Sequence, residues 1–269
     1  MIALGLLTAS ACCHAAWNLL MKTSGAGGPA FVWLCGLVTL PVSLVLLVHS
    51  ATHGTLTGTW WAGLVSMVLH TGYAVTLQKA YAAGEFSTVY PVSRGTAPVL
   101  VTVAAIPWLG GSGPWVFVGA TLVLGGVLLM DGVHSRRLGR GIALGLAVAS
   151  CTAAYTLWDG FSVTSLRVDV LTYLAVANVA QVVVLSALVR RLALTQWRRA
   201  VPIAVLTPAS YGLVLLALSV ASVGTVAIGR TLNVVLGALL GAVVLHERLT
   251  PTRIAGLTTI IAGVLLVST

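Results

Sequence analysis

Residues Gly224 to Val267 read GTVAIGRTLNVVLGALLGAVVLHERLTPTRIAGLTTIIAGVLLV. This spells an apolar helix of roughly twenty residues, a tight basic turn and a second apolar helix, each long enough to cross a hydrocarbon core. Arg230 stands alone inside the first helix. An arginine in hydrocarbon costs at least ~2.5–3.5 kcal/mol, so it is expected to face protein or a watery cavity. The competing reading is that Arg230, near its helix end, snorkels to the headgroups.

A second copy of the pattern favours the cavity. Thr88 to Met130 reads TVYPVSRGTAPVLVTVAAIPWLGGSGPWVFVGATLVLGGVLLM. Thr88 and Val89 match Thr225 and Val226 at an offset of 137, and Arg94 matches Arg230 at 136. Gly119 and the run Gly126–Leu129 match Gly256 and Gly263–Leu266, again at 137. The halves also open alike, Ile2–Leu6 recurring as Ile142–Leu146. Chance matches are frequent in such apolar sequence, but a set of identities at one offset, with an arginine repeated one residue out of that frame, indicates an internal duplication.

Composition sets the solvent. The hydrophobic fraction is 58% and the charged fraction 7%, with a mean hydropathy of +1.05. So few charges cannot cover a soluble domain of this length. Ten spans are expected near 2–21, 30–50, 58–82, 88–108, 114–131, 140–161, 169–193, 199–220, 225–245 and 251–268. The expected fold is an all-α membrane protein of two inverted five-helix repeats around a central cavity. Residues 1–132 make the first repeat, 133–139 a basic linker and 140–269 the second. An odd number of helices per half turns the second half upside down, as in secondary transporters whose substrate site lies at the repeat interface.

The net charge of +9 reflects topology, not nucleic acid. Ten spans place Lys22, Lys79, Arg136, Arg137, Arg140, Arg190, Arg191, Arg198, Arg199, Arg248 and Arg253 on one face, and Arg167 alone on the other. That positive-inside bias puts both termini outside, with the basic residues available to anionic lipid. Cys12, Cys13, Cys35 and Cys151 fall within helices and read as reduced apolar filler. Ala9–Cys12 faintly resembles a lipoprotein cleavage site, but no positive residue precedes it, so no cleaved signal is expected. His49 and His53, four apart, lack further ligands nearby, and neither a metal nor a cofactor is expected.

The polar residues within the spans are the candidate substrate contacts: Arg94 and Arg230, His14, Trp17 and Asn18 of helix one, His70 of helix three, Tyr90, Trp158, Asp159 and Asn233. Histidines in these positions suit proton relay or substrate hydrogen bonding, against a plain interhelical bond. Trp158–Asp159 repeats Trp17–Asn18 at an offset of 141, and Asp159 is the acid expected inside the membrane. Both tryptophans also fit the interfacial aromatic belt. Pro91, Gly95 and Pro98 bracket Arg94, so helix four is expected to kink or unwind there, with Glu85 as a nearby partner. Gln181, Pro208, Ser210 and Tyr211 are further lining candidates. A rise of 1.5 Å per residue sets each arginine about 9 Å inside opposite faces, one per vestibule. Two arginines repel cations, so an anionic solute is expected.

Over essentially its whole length the chain resembles the EamA-type family of the drug/metabolite transporter superfamily. The resemblance is carried by HAAWN (14–18), GEFSTVYPVSRGTAP (84–98) and RTLNVVLGALLGAVVLHERLTPTRIAG (230–256). It implies a ten-helix bundle in a bacterial cytoplasmic membrane, helices four and nine along the path, and movement of small metabolites, often export of amino acids. It also implies cytoplasmic termini, against the arginine bias. The proton-coupled small multidrug-resistance relatives place a carboxylate in helix one where this chain has His14, which argues against their coupling and their lipophilic cations. A monomer or homodimer suffices to enclose a path. A flippase for a lipid-linked substrate is the alternative. An enzyme lacks a metal cluster, a nucleophile set and a phosphate loop.

Overall fold

A computed structural model describes residues 2–24, 28–54, 58–84, 86–109, 113–131, 138–189, 194–244, 246 and 249–268. They form helices α1 Ile2–Ser24, α2 Gly28–Thr52, α3 Trp61–Ala83, α4 Phe86–Leu109, α5 Pro114–Asp131 and α6 Leu138–Thr164. There follow α7 Val170–Leu188, α8 Trp197–Leu218, α9 Val223–Gly229, α10 Leu232–Val244 and α11 Pro251–Leu266. No strand occurs among the described residues. Glu85 and most of the basic linker lie outside them.

The helices match the ten expected segments closely because length and apolarity are set by the need to satisfy every backbone group within the segment. Two details differ. The seventh segment ends at Leu188, with a 3₁₀ turn at Leu194–Gln196 before α8. The ninth is broken into α9 and α10 at Arg230 and Thr231. Among the described residues six spans are long and apolar enough to cross a membrane: the apolar cores of α1, α2, α6, α7 and α8, and α9 with α10 taken together as Val223–Val244. Val92–Pro107, Pro114–Met130 and Pro251–Leu266 are shorter apolar helices.

Caps mark several starts. Asp169 accepts from the Thr172 amide at 2.8 Å ahead of α7, and Ser222 from the Thr225 amide at 3.2 Å ahead of α9. Thr250 accepts from the Arg253 amide at 3.3 Å ahead of α11, where Pro251 takes a position whose missing N–H costs nothing.

The most extensive packing joins α5 to α11, α4 to α6, α1 to α8 and α2 to α7. Glycine lets α5 and α11 approach. A Cβ on Gly119 would stand 2.9 Å from the Gly263 carbonyl oxygen, and one on Gly263 would stand 2.8 Å from that of Gly119. Gly126 and Gly256 meet in the same reciprocal way. In lipid, where burial of apolar surface gives helices no reason to associate, such backbone contact is a main source of adhesion. Polar pairs supply the rest. Ser10 Oγ donates to the Ser210 carbonyl at 2.7 Å and Ser210 Oγ returns a bond to the Ser10 carbonyl at 3.0 Å, tying α1 to α8. Asn178 Nδ2 donates to Ser43 Oγ at 2.9 Å between α7 and α2.

Candidate functional site

Helix α4 runs unbroken through Arg94, although Pro98 removes the amide that would serve its carbonyl. The expected irregularity appears at the other arginine. Around Arg230 the backbone tightens: Thr231 N bonds Ile228 O at 3.0 Å, Asn233 N bonds Arg230 O at 3.2 Å, and Val234 N bonds Thr231 O at 2.9 Å. These three-residue steps interrupt the α-ladder, and Thr231 Oγ1 donates a further bond to Ile228 O at 2.6 Å. A mid-span 3₁₀ step of this kind re-aims the side chains on either side of it.

Both arginines line a single cavity, with about 540 Å³ of atom-free space including its open mouth. The expectation of one arginine per vestibule is corrected accordingly. Ser93, Pro98 and Val101 of α4, Tyr73 of α3, Thr152, Tyr155 and Thr156 of α6, and Thr231 and Asn233 complete much of the wall. The Arg230 guanidinium donates to Tyr155 Oη at 3.2 Å and to Thr156 Oγ1 at 3.3 Å. Its Cζ lies 5.5 Å from the Tyr155 ring centroid and 5.7 Å from that of Tyr211. Arg94 Cζ lies 5.8 Å from the Tyr90 ring, and Tyr73 lines the same cavity as Arg94. Among the described residues neither guanidinium forms an ion pair with a carboxylate. Tyrosine faces and neutral hydroxyls hold both cations in place without cancelling their charge.

The acid of this region stands behind the tyrosines. Asp159 is 0% exposed. It accepts from Ser66 Oγ at 2.8 Å, from Tyr173 Oη at 2.5 Å and from Tyr211 Oη. His70 Nε2 lies 3.9 Å from Asp159 Oδ2. The His70 ring lies 4.2 Å from Tyr155 and 5.0 Å from Tyr211. Asp159 and His70 therefore form a layer next to the cavity wall, linked to Arg230 through two tyrosines.

The other sequence candidates take different places. Asn18, which like Asp159 follows a tryptophan in sequence, is exposed and donates to the carbonyl of His14 at 2.8 Å within its own helix. His14 meets Trp17 edge-on at 5.0 Å, and Trp17 packs on the cluster of Phe31, Leu34 and Ala200. Trp158 Nε1 donates to the Ala62 carbonyl at 3.0 Å and its ring rests against the buried core instead of the cavity. Ser210 is 5% exposed and engaged with Ser10, so it seals a helix contact. Tyr73, Tyr155, Ser66 and Tyr173 were not singled out in the sequence. Tyr155 stands four residues before Asp159 and Tyr73 three after His70, spacings that share a helix face.

Residues 139–269 match the EamA-like transporter family. One solved structure, described only as "Crystal structure of protein", superposes with a TM-score of 0.75 at 16% identity, covering 99% of this chain and 97% of its own. That likeness extends the shared fold over both halves. No curated protein matches the chain significantly.

Proposed function

We propose that this multi-pass membrane protein, whose residues 139–269 match the EamA-like transporter family, is a secondary transporter for a small anionic metabolite. The solute carries a carboxylate, as an amino-acid-like compound does, and is exported across the cytoplasmic membrane by alternating access. The observation that carries this reading is the pair Arg94 and Arg230 on one cavity, neither ion-paired to a carboxylate among the described residues. A half-buried cation held by hydroxyls and ring faces is stabilised by an incoming anion. Tyr90 lies against the Arg94 guanidinium and Asn233 lines the cavity with both arginines, while His14 stands outside the lining, within the electrostatic reach of both.

Inverted halves are supported by the packing. Exchanging each span for the one five places along turns the contact of α4 with α6 into that of α9–α10 with α1, and α1 with α8 into α6 with α3. The same exchange turns α2 with α8 into α7 with α3, while α5 with α11 and α2 with α7 map onto themselves. It also carries the glycine contact 119–263 onto 256–126. Two packings of such halves, close in energy, open the cavity alternately to each face. The test is a metabolite screen in cells with and without the protein at two external pH values, followed by uptake in proteoliposomes. Full activity of Arg94→Ala and Arg230→Ala toward carboxylates would defeat the proposal.

A further inference from the structure

The layer behind the cavity has chemistry of its own. Each hydrogen-bond donor to Asp159 described above is a neutral hydroxyl, on α3, α7 and α8. His70 Nδ1 lies 2.9 Å from the Ser66 carbonyl oxygen, a contact that requires the ring to donate from Nδ1. Nε2 then bears a lone pair when the ring is neutral and a second proton when it is charged. That atom is buried without a hydrogen-bond partner among the described residues and faces the carboxylate at 3.9 Å. A proton on Nε2 would meet a buried carboxylate after a sub-ångström approach. On one side this pair reaches the arginine cavity through Tyr155 and Tyr211. On the other, Tyr173 lines a surface cleft with Thr59, Trp60 and Asp169 while donating to Asp159.

We propose that His70 and Asp159 together bind one proton, admitted from the cleft beside Tyr173, and that this proton and the anion at Arg230 bind cooperatively and travel together. The cooperativity rests on the anionic-solute reading; the proton site does not. The sign follows from the charges. Arg94, Arg230 and Asp159 sum to one positive charge, which an anion cancels and a proton raises to two. Each ligand therefore favours the other, the reverse of an exchanger in which substrate and proton compete for one carboxylate. The groups facing the pair are Ser66 on α3, Tyr155 on α6, Tyr173 on α7, Tyr211 on α8 and Arg230 at the α9–α10 break. Arg94, Tyr73 and His14 lie beyond, around the same arginines. Asn18 in the first half is amide, not acid, so the proposed site occurs once and breaks the repeat symmetry.

The test has two arms on the purified full chain. The first needs no solute. With ¹⁵N-labelled histidine, the imidazole signal missing in His70→Gln is expected to titrate as pH falls from about 8 to about 5. Asp159→Asn should displace its midpoint. A His70 signal that does not titrate, or a midpoint indifferent to Asp159→Asn, overturns the proton site whatever the solute. In the second arm, calorimetry measures binding of benzoate and of glutamate over the same range, where their carboxylates remain ionised. Affinity is expected to rise toward about tenfold per unit fall in pH, the limit for one proton per anion. The dependence should flatten in Asp159→Asn and in His70→Gln while binding persists. An affinity that falls in acid, or a pH dependence that survives both substitutions, overturns cooperative binding. If neither anion binds at any pH while His70 titrates, the anionic-solute reading fails and the cooperativity with it, and the proton site stands.

Discussion

Replacing Arg230 with alanine separates function from stability. In the resting cavity the guanidinium makes two hydrogen bonds, at 3.2 and 3.3 Å, and stacks on two tyrosines. Both bonds are long for a charged donor, and among the described residues no carboxylate pairs with it directly, Asp159 acting only through the intervening tyrosines. Its removal therefore relieves a part-buried cation that has no direct ion-pair partner while forfeiting modest contacts, and the net change in stability is expected within about 1 kcal/mol. Binding of an anion is different. One charge-assisted hydrogen bond contributes about 1.5–3 kcal/mol, so Arg230→Ala should weaken a carboxylate solute by roughly tenfold to a hundredfold. Arg230→Lys keeps the charge but loses the planar fork that lies over Tyr155 and Tyr211, and should fall between wild type and alanine. The assay is uptake of the labelled solute by proteoliposomes, with thermal unfolding of the same preparations as control. Unchanged uptake would refute the argument. So would a loss of uptake matched by a loss of folded protein, since the arginine would then be structural.

Tyr155→Phe retains the ring beneath Arg230 but removes the hydroxyl that accepts its bond, and should lower solute affinity severalfold in the same uptake assay. Trp158→Phe breaks the bond to Ala62 and should cost about 1 kcal/mol of stability with transport per folded molecule unchanged; a large loss of affinity would return Trp158 to the site. Gly126→Val drives a side chain into the Gly256 carbonyl and should destabilise by about 1–3 kcal/mol or more, read as a lowered melting temperature. Gly125→Ala, next to it but with nothing within 4 Å of its Cβ position, should be silent or slightly stabilising. Ser10→Ala strips one bond of the reciprocal α1–α8 pair, and a shift of about 1 kcal/mol in thermal unfolding is expected.

The sequence by itself determined the solvent, the spans and the repeated arginines. A helix in lipid must satisfy its own backbone, so span length and apolarity are written locally and could be read residue by residue. The offset of 137 that joins Gly119 to Gly256 likewise needed no coordinates. Only the tertiary structure decided what each polar residue meets. Asp159 and Asn18 each follow a tryptophan, 141 residues apart, yet one is buried under three hydroxyls from three helices and the other bonds back to its own turn. Trp158 adjoins Asp159 in sequence but points at Ala62, because neighbours on a helix face about 100° apart. The tyrosines that hold Arg230 stand 75 and 19 residues away from it (230 − 155 and 230 − 211). Partners that distant are assembled by helix packing, which no local pattern encodes.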